Sequence, residues 1–421
     1  MNSSSSVRRS LGSRFAHWLG LGWIVLAALG MGPAVAQEAA KTVRPEIGKP
    51  IQAALDLLKQ KKGKDALAKV RETEAVGEKT AYELFLIDQV RGQAAALTGE
   101  AGIAARAFEA AAASAAAGEK EKQQFLAAAA GQFYTAKEYG KVADVAGRYF
   151  KAGGNDKAIH NLEIQALYLG NNFAQAAKEL LLDIQAEEQA GKTPAEIQLQ
   201  LLLSSYEKLQ DKAGSAQALE KLLTYYPKKD YWQGVIYSVT TRTGFSERLA
   251  LDVNRLRLVT GTMRGASDYV EAAQMALQSG YPAEARKFID AGYAAGLLGT
   301  GADADRHKRL KERAAKDMAT DLKALGQDDA QAAASQSGTA LFNAGLNYVL
   351  NGRSDKGLGM MESALTKGGF KHPEDAKLQM GYAYYLAGQT QKAIQVLKKV
   401  QGSDGVSALS RLWVIRLGQT S

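Results

Sequence analysis

Cysteine is absent from all 421 residues. That excludes a disulfide framework, a thiolate metal site, a lipid-modified cysteine and a cysteine nucleophile. Histidine is nearly absent too: beyond the first 36 residues only His160, His307 and His372 remain, each beside helix-end or surface-type residues and expected to be exposed. No HExxH occurs and no two histidines share a helix face at a spacing of three or four, so no metal site is expected. The serine elbow GxSxG and the glycine loops GxxxxGK[ST] and GxGxxG are missing as well. The glycine-rich stretch 296–301 has neither a preceding strand nor a lysine to cradle phosphate. The expectation is no catalytic residue, no cofactor and no enzyme activity.

Acidic residues are missing from positions 1–36, where Arg8, Arg9 and Arg14 precede the apolar run 19–29 and then Ala34-Val35-Ala36. A basic head, a short apolar middle and an A-x-A exit describe a secretory signal peptide cut before Gln37. An uncleaved anchor is the alternative, but the apolar run is shorter than the roughly 20 residues a spanning helix needs. Gly12 stands where a twin-arginine signal wants an apolar residue, so ordinary export to the periplasm is expected. Loss of the leader's arginines lowers the formal charge from +9 to +6. An anionic membrane surface or acidic partner suits that balance better than nucleic acid.

Proline is scarce, and six of the seven lie beyond the leader. A proline inside a helix costs about 3 kcal/mol, so these should mark boundaries. Pro45 and Pro50 precede the amphipathic run 51–60; Pro194, Pro282 and Pro373 stand where helices would begin; Pro227 stands where one would stop. Thr193, Pro194 and Glu196 suggest a capping box with proline at the first helical position. Leu202, Tyr206 and Leu209, like Leu219, Leu222 and Tyr226, recur at steps of three and four, whereas alternating strand patterns are scarce. The chain therefore reads as all-α.

Small residues carry the longer period. Gly381 and Ala393 stand twelve positions apart, where two helices of a hairpin would cross, with Tyr384, Leu397 and Val400 beside the crossing and Gly388 at the turn. The same spacing joins Gly345 to Gly357, Ala273 to Ala285 and Gly131 to Ala143, and Gly345 precedes Gly381 by 36. The stretch 380–400 resembles the tetratricopeptide repeat (TPR), which implies an α-solenoid of stacked helical hairpins, a TPR-like superhelix. At about 34 residues per unit, 385 residues would hold roughly eleven hairpins. Loops at 296–305 and 326–338 suggest a leader at 1–36, an N-terminal array at 37–298, a spacer helix with flanking loops at 299–336, and a C-terminal array with a capping helix at 337–421. One continuous superhelix with two surface loops is the alternative.

In a TPR superhelix the first helix of each hairpin lines a concave groove. That resemblance makes Tyr382, Tyr385, Phe342, Leu346 and Val349 the expected partner-binding residues, since tyrosine combines large contact area with a polar tip. Aromatic residues at helical spacing also pack cores, the role expected of Trp232 and Trp413. Leu378, Tyr382, Phe342 and Leu346 stand where carboxylate-clamp TPR domains carry lysine and asparagine, which argues against such a clamp. The basic turn Lys59, Lys61, Lys62 and Lys64 around Gly63, and the helix from His307 to Arg313, read as solvated faces. Residues 231–285 are similar to periplasmic TPR proteins that accompany TonB, ExbB and ExbD, which implies a protein-binding adaptor for such an envelope system. Alternatives are binding of a cell-wall glycan or other small envelope ligand, or an enzyme built on a carboxylate pair that the fold brings together.

Overall fold

The computed structural model describes residues 42–327 and 329–419, and the expected leader lies outside the described residues. Those residues hold helices and no strand. In chain order the helices are α1 (Pro45–Lys59), α2 (Gly63–Glu72), α3 (Ala81–Thr98), α4 (Ala101–Ala113), α5 (Glu119–Thr135), α6 (Tyr139–Lys151), α7 (Lys157–Leu169), α8 (Phe173–Gln189), α9 (Glu196–Lys208) and α10 (Lys212–Tyr225). They continue with α11 (Lys229–Thr240), α12 (Ala250–Val259), α13 (Ala266–Gln278), α14 (Pro282–Ala294), α15 (Ala304–Ala324), α16 (Asp329–Ala334), α17 (Thr339–Leu350), α18 (Ser354–Lys367), α19 (Pro373–Leu386), α20 (Thr390–Leu397) and α21 (Val406–Gly418). Among the described residues no helix is long and apolar enough to cross a membrane.

The chain divides into two compact units, one ending at Ser215 and the other beginning at Ala216. The composition break at 299–336 is therefore not the division. The spacer helix expected there is α15, which packs on α14 inside the second unit: Lys311 Nζ lies 4.2 Å from the Tyr293 ring centre and 3.5 Å from Asp290. His307, expected at the surface, is buried there, with Nδ1 accepting from the Gly299 N–H at 3.2 Å.

In the first unit each helix packs on the next, and α1 on α3 and α5 on α7 pack in addition, so successive hairpins stack face to face. Phe85, Phe108 and Phe125 bring α3, α4 and α5 together, with ring centres 5.7 and 6.1 Å apart. Burial of such aromatic and aliphatic side chains is what makes short helices stable. Prolines obey the boundary rule at Pro282 and Pro373, the first residues of α14 and α19. Pro50 does not: it lies inside α1, early enough that one backbone hydrogen bond is forfeited. The expected cap at Thr193 is displaced by two residues, because α9 begins at Glu196 and the Gln198 side chain accepts from the Ala195 N–H at 3.0 Å.

A buried carboxylate pins the first hairpin to the second. Glu83 is fully buried in α3, yet accepts from Arg44 Nε at 2.9 Å, Arg44 Nη2 at 2.8 Å, and the Arg44 and Thr80 backbone N–H groups at 3.0 and 2.9 Å. The Arg44 guanidinium, then the two N–H groups, hold its pKa down at about 2 against the opposing effect of burial. Because the folded value lies below the unfolded one, this stabilisation is complete above about pH 4.5 and is lost as pH falls through about 2. The expected result for Glu83→Gln is a melting temperature well below wild type at pH 6, with the two curves converging below pH 3. A gap that stays constant across that range would contradict the assignment.

Candidate functional site

Close backbone approach explains why small residues recur at twelve-residue spacing. A methyl group on Gly357 would stand 2.5 Å from the Gly345 carbonyl oxygen and one on Gly345 would stand 2.7 Å from the Gly357 carbonyl oxygen, so α17 and α18 cross at these two residues. Ala273 and Ala285 are fully buried between α13 and α14. The crossing at Gly381 is filled differently, because its neighbour is the Leu397 side chain. Gly131 meets nothing within 4 Å, so the first-unit pair Gly131 and Ala143 is not a crossing.

The second unit returns on itself. Tyr382 of α19 donates to Glu284 Oε1 of α14 at 2.9 Å, although 98 residues separate them. Glu284 also holds Arg255 of α12 in a two-pronged pair, Nε to Oε1 at 2.8 Å and Nη2 to Oε2 at 2.7 Å. Arg255 donates its remaining Nη1 to Asp252 at 2.7 Å, and its guanidinium carbon lies 4.8 Å from the Tyr382 ring centre and 5.8 Å from that of Tyr281. Arg255 is 1% exposed, Glu284 1%, Tyr382 3% and Asp252 4%. Two carboxylates and one guanidinium are thus sealed inside the protein.

Their titration follows from that burial. Burial raises the Asp252 pKa, with Arg255 opposing. Burial would lower that of Arg255, but Glu284 and Asp252 outweigh it and hold it well above its ordinary value. Burial also pushes Tyr281 up to about 12, raises Tyr382 together with Glu284, and lowers Lys287. These acids share an arginine and are buried from solvent, which is the arrangement of an internal tie. At the surface a second tie runs parallel: Arg248 donates to Asp375 at 2.7 and 2.9 Å and to Asp404, while the Ser246 N–H donates to the Asp404 carbonyl at 2.9 Å.

The residues expected to line a groove accordingly do not. Phe342, Leu346 and Val349 are buried in α17, with Phe342 edge-on to Phe370 at 5.5 Å. Tyr382 is sealed by Arg255 and Glu284. Tyr385 is half-buried, 6.3 Å from the Tyr382 ring and 5.2 Å from that of Trp413. The correction has a simple cause. The α19 segment 380–384, Met-Gly-Tyr-Ala-Tyr, carries no charged side chain, and a helix segment without a polar face is enclosed on every side. Trp232 and Trp413 are both buried, in line with a packing role.

The second unit also holds an open groove of about 590 Å3 between α10, α20 and α21. Leu397, Val400, Val414 and Ile415 supply its apolar surface, and Glu220, Lys221, Lys398 and Arg411 its charge. A smaller depression of about 80 Å3 shares Arg411 and Ser407 with it and adds Val239, Arg242 and Phe245. Arg411 is more than half exposed, and its Nε lies 3.5 Å from Glu220. Among the described residues no group of three histidine or acidic side chains is placed to hold a metal ion.

No family model matches this chain, and no curated protein matches it. Among solved structures it is similar to one described as Naa15/Naa10 bound to HypK-THB, at 14% identity over 87% of this chain and 59% of that one, with a TM-score of 0.30. It is also similar to yeast Tom70, at 11% identity over 86% of this chain and 94% of that one, with a TM-score of 0.23. The APC/C hetero-tetramer Cut9–Hcn1 gives 12% identity over 87% and 83% and a TM-score of 0.17. Likeness at these scores carries no functional argument. The description of the chain as an all-α array of stacked helical hairpins rests on its own helices and their packing.

Proposed function

We propose that this chain is a non-enzymatic protein-binding scaffold of the bacterial periplasm. The carrying observation is the open groove of the second unit between α10, α20 and α21, where Leu397, Val400, Val414 and Ile415 supply apolar surface beside the charged Glu220, Lys221, Lys398 and Arg411. Stiff helices presenting such a groove lower the ordering cost of binding another polypeptide. The periplasmic placement rests on the leader-like first 36 residues, and an association with a TonB, ExbB and ExbD type system rests on the resemblance of 231–285.

Site-specific photo-cross-linking in whole cells tests this reading. A photoreactive residue at Val414 is expected to capture an envelope protein that one at the buried Tyr382 does not, and the chain is expected in the periplasmic fraction. TonB-system components among the captured proteins would support the narrower association. A folded, correctly localised chain that captures nothing from any exposed position would overturn the scaffold reading.

A further inference from the structure

We infer that the groove between α10, α20 and α21 takes an acidic, leucine-rich segment of a partner protein. This rests on the scaffold reading and specifies its partner. Lys221, Lys398, Arg242 and Arg411 stand along the groove and the adjoining depression, against a single acidic lining residue, Glu220. The nearby acid Asp404 is already engaged by Arg248. A predominantly basic lining beside an apolar strip selects a segment of opposite charge with apolar side chains between.

Arg411 is the adaptable member. Its contacts are long, 3.5 Å to Glu220 and 3.5 Å to Ser407, and its side chain is 55% exposed, so an incoming carboxylate competes with weak partners. Ser407 and Arg411 line both the groove and the adjoining depression, so one segment would run past both arginines. Helix α20 here is the second helix of its hairpin with α19. The surface is therefore distinct from the α19 face, which is buried.

Fluorescence anisotropy of the full chain with three labelled nonapeptides tests the inference: one of leucine and glutamate, one with glutamine for glutamate, and one with lysine. The glutamate peptide is expected to bind about tenfold tighter than the glutamine peptide, and to weaken as salt is raised. In Arg242→Glu with Arg411→Glu that order reverses and the lysine peptide binds best. In Glu220→Gln, which should leave the fold intact, the glutamate peptide binds about two- to threefold tighter. Equal binding of all three peptides, or an unchanged order in the reversed-charge chain, overturns the inference. So does sedimentation showing that the groove pairs two copies of the chain. If Val414 still cross-links to an envelope protein while the peptides are not distinguished, the scaffold reading stands and only the acidic assignment falls.

Discussion

Replacing Arg255 by alanine is expected to destabilise the second unit by about 3–5 kcal/mol, the usual cost of leaving buried carboxylates without their cation. For a unit of this size that corresponds to a fall of about 10 °C in its melting transition. Glu284 would keep only the Tyr382 hydroxyl, and Asp252 would lose its 2.7 Å partner. The pairing is not needed for stability as such, because apolar residues of similar volume often replace a buried ionic group without loss. Arg255→Met combined with Asp252→Asn, Glu284→Met and Tyr382→Phe is therefore expected to recover most of the deficit. Calorimetry of both variants checks this. A change of under about 1 kcal/mol for Arg255→Ala would show that the guanidinium is not sealed in as described.

Two glycines of one helix, α18, should respond in opposite directions. A side chain on Gly357 meets main-chain atoms, the Gly345 oxygen at 2.5 Å and the Val349 nitrogen at 2.9 Å, which move only if the two helices separate. Gly357→Val is expected to cost about 3 kcal/mol through overpacking. A methyl on Gly359 meets nothing within 4 Å, and Gly359→Ala is expected to gain about 0.5–1 kcal/mol from helix propensity alone. Denaturant titration gives both values. Equal losses at the two sites would mean that helical glycine, and not the crossing of α17 and α18, is what matters.

Much of this architecture could be read in the residues, for physical reasons that also explain the failures. Gly345, Gly357, Ala273 and Ala285 announce helix crossings because only small side chains let backbones meet. Gly352 and Gly388 announce turns because each stands at φ near +75°. Other hairpins place Lys61, Lys137, Asn171 and Gln210 in the same left-handed conformation, at a cost of roughly 1–2 kcal/mol each. Those left-handed positions are not glycine and so leave little trace. Gly63 is the opposite case: it opens α2, where an added methyl would stand 3.2 Å from the Ala94 carbonyl oxygen, while Lys61 makes the turn.

The site was less legible than the fold. Their place in the repeat puts Tyr382 and Tyr385 on a surface, although the surrounding segment has no polar stripe to present to water. A charged residue inside an apolar run, as in Leu249 to Val259, is the signal that was available for Arg255 and Asp252. Nothing local in sequence ties them to Glu284 or to Tyr382, which lie 29 and 127 positions beyond Arg255. The groove at α21 escaped for a related reason, since Arg411, Glu220 and Arg242 become neighbours only when the second unit returns on itself.

That return is the claim on which the tie and the groove both depend, and the absence of native cysteine makes it directly measurable. In a chain carrying Ser246→Cys and Ser403→Cys, beside the 2.9 Å hydrogen bond from Ser246 to Asp404, a short bis-maleimide should join the two positions rapidly and within one molecule. Efficient linkage in the native protein, lost on unfolding, is the predicted result. Failure to link, while cysteines placed across the α17–α18 hairpin link readily, would contradict it.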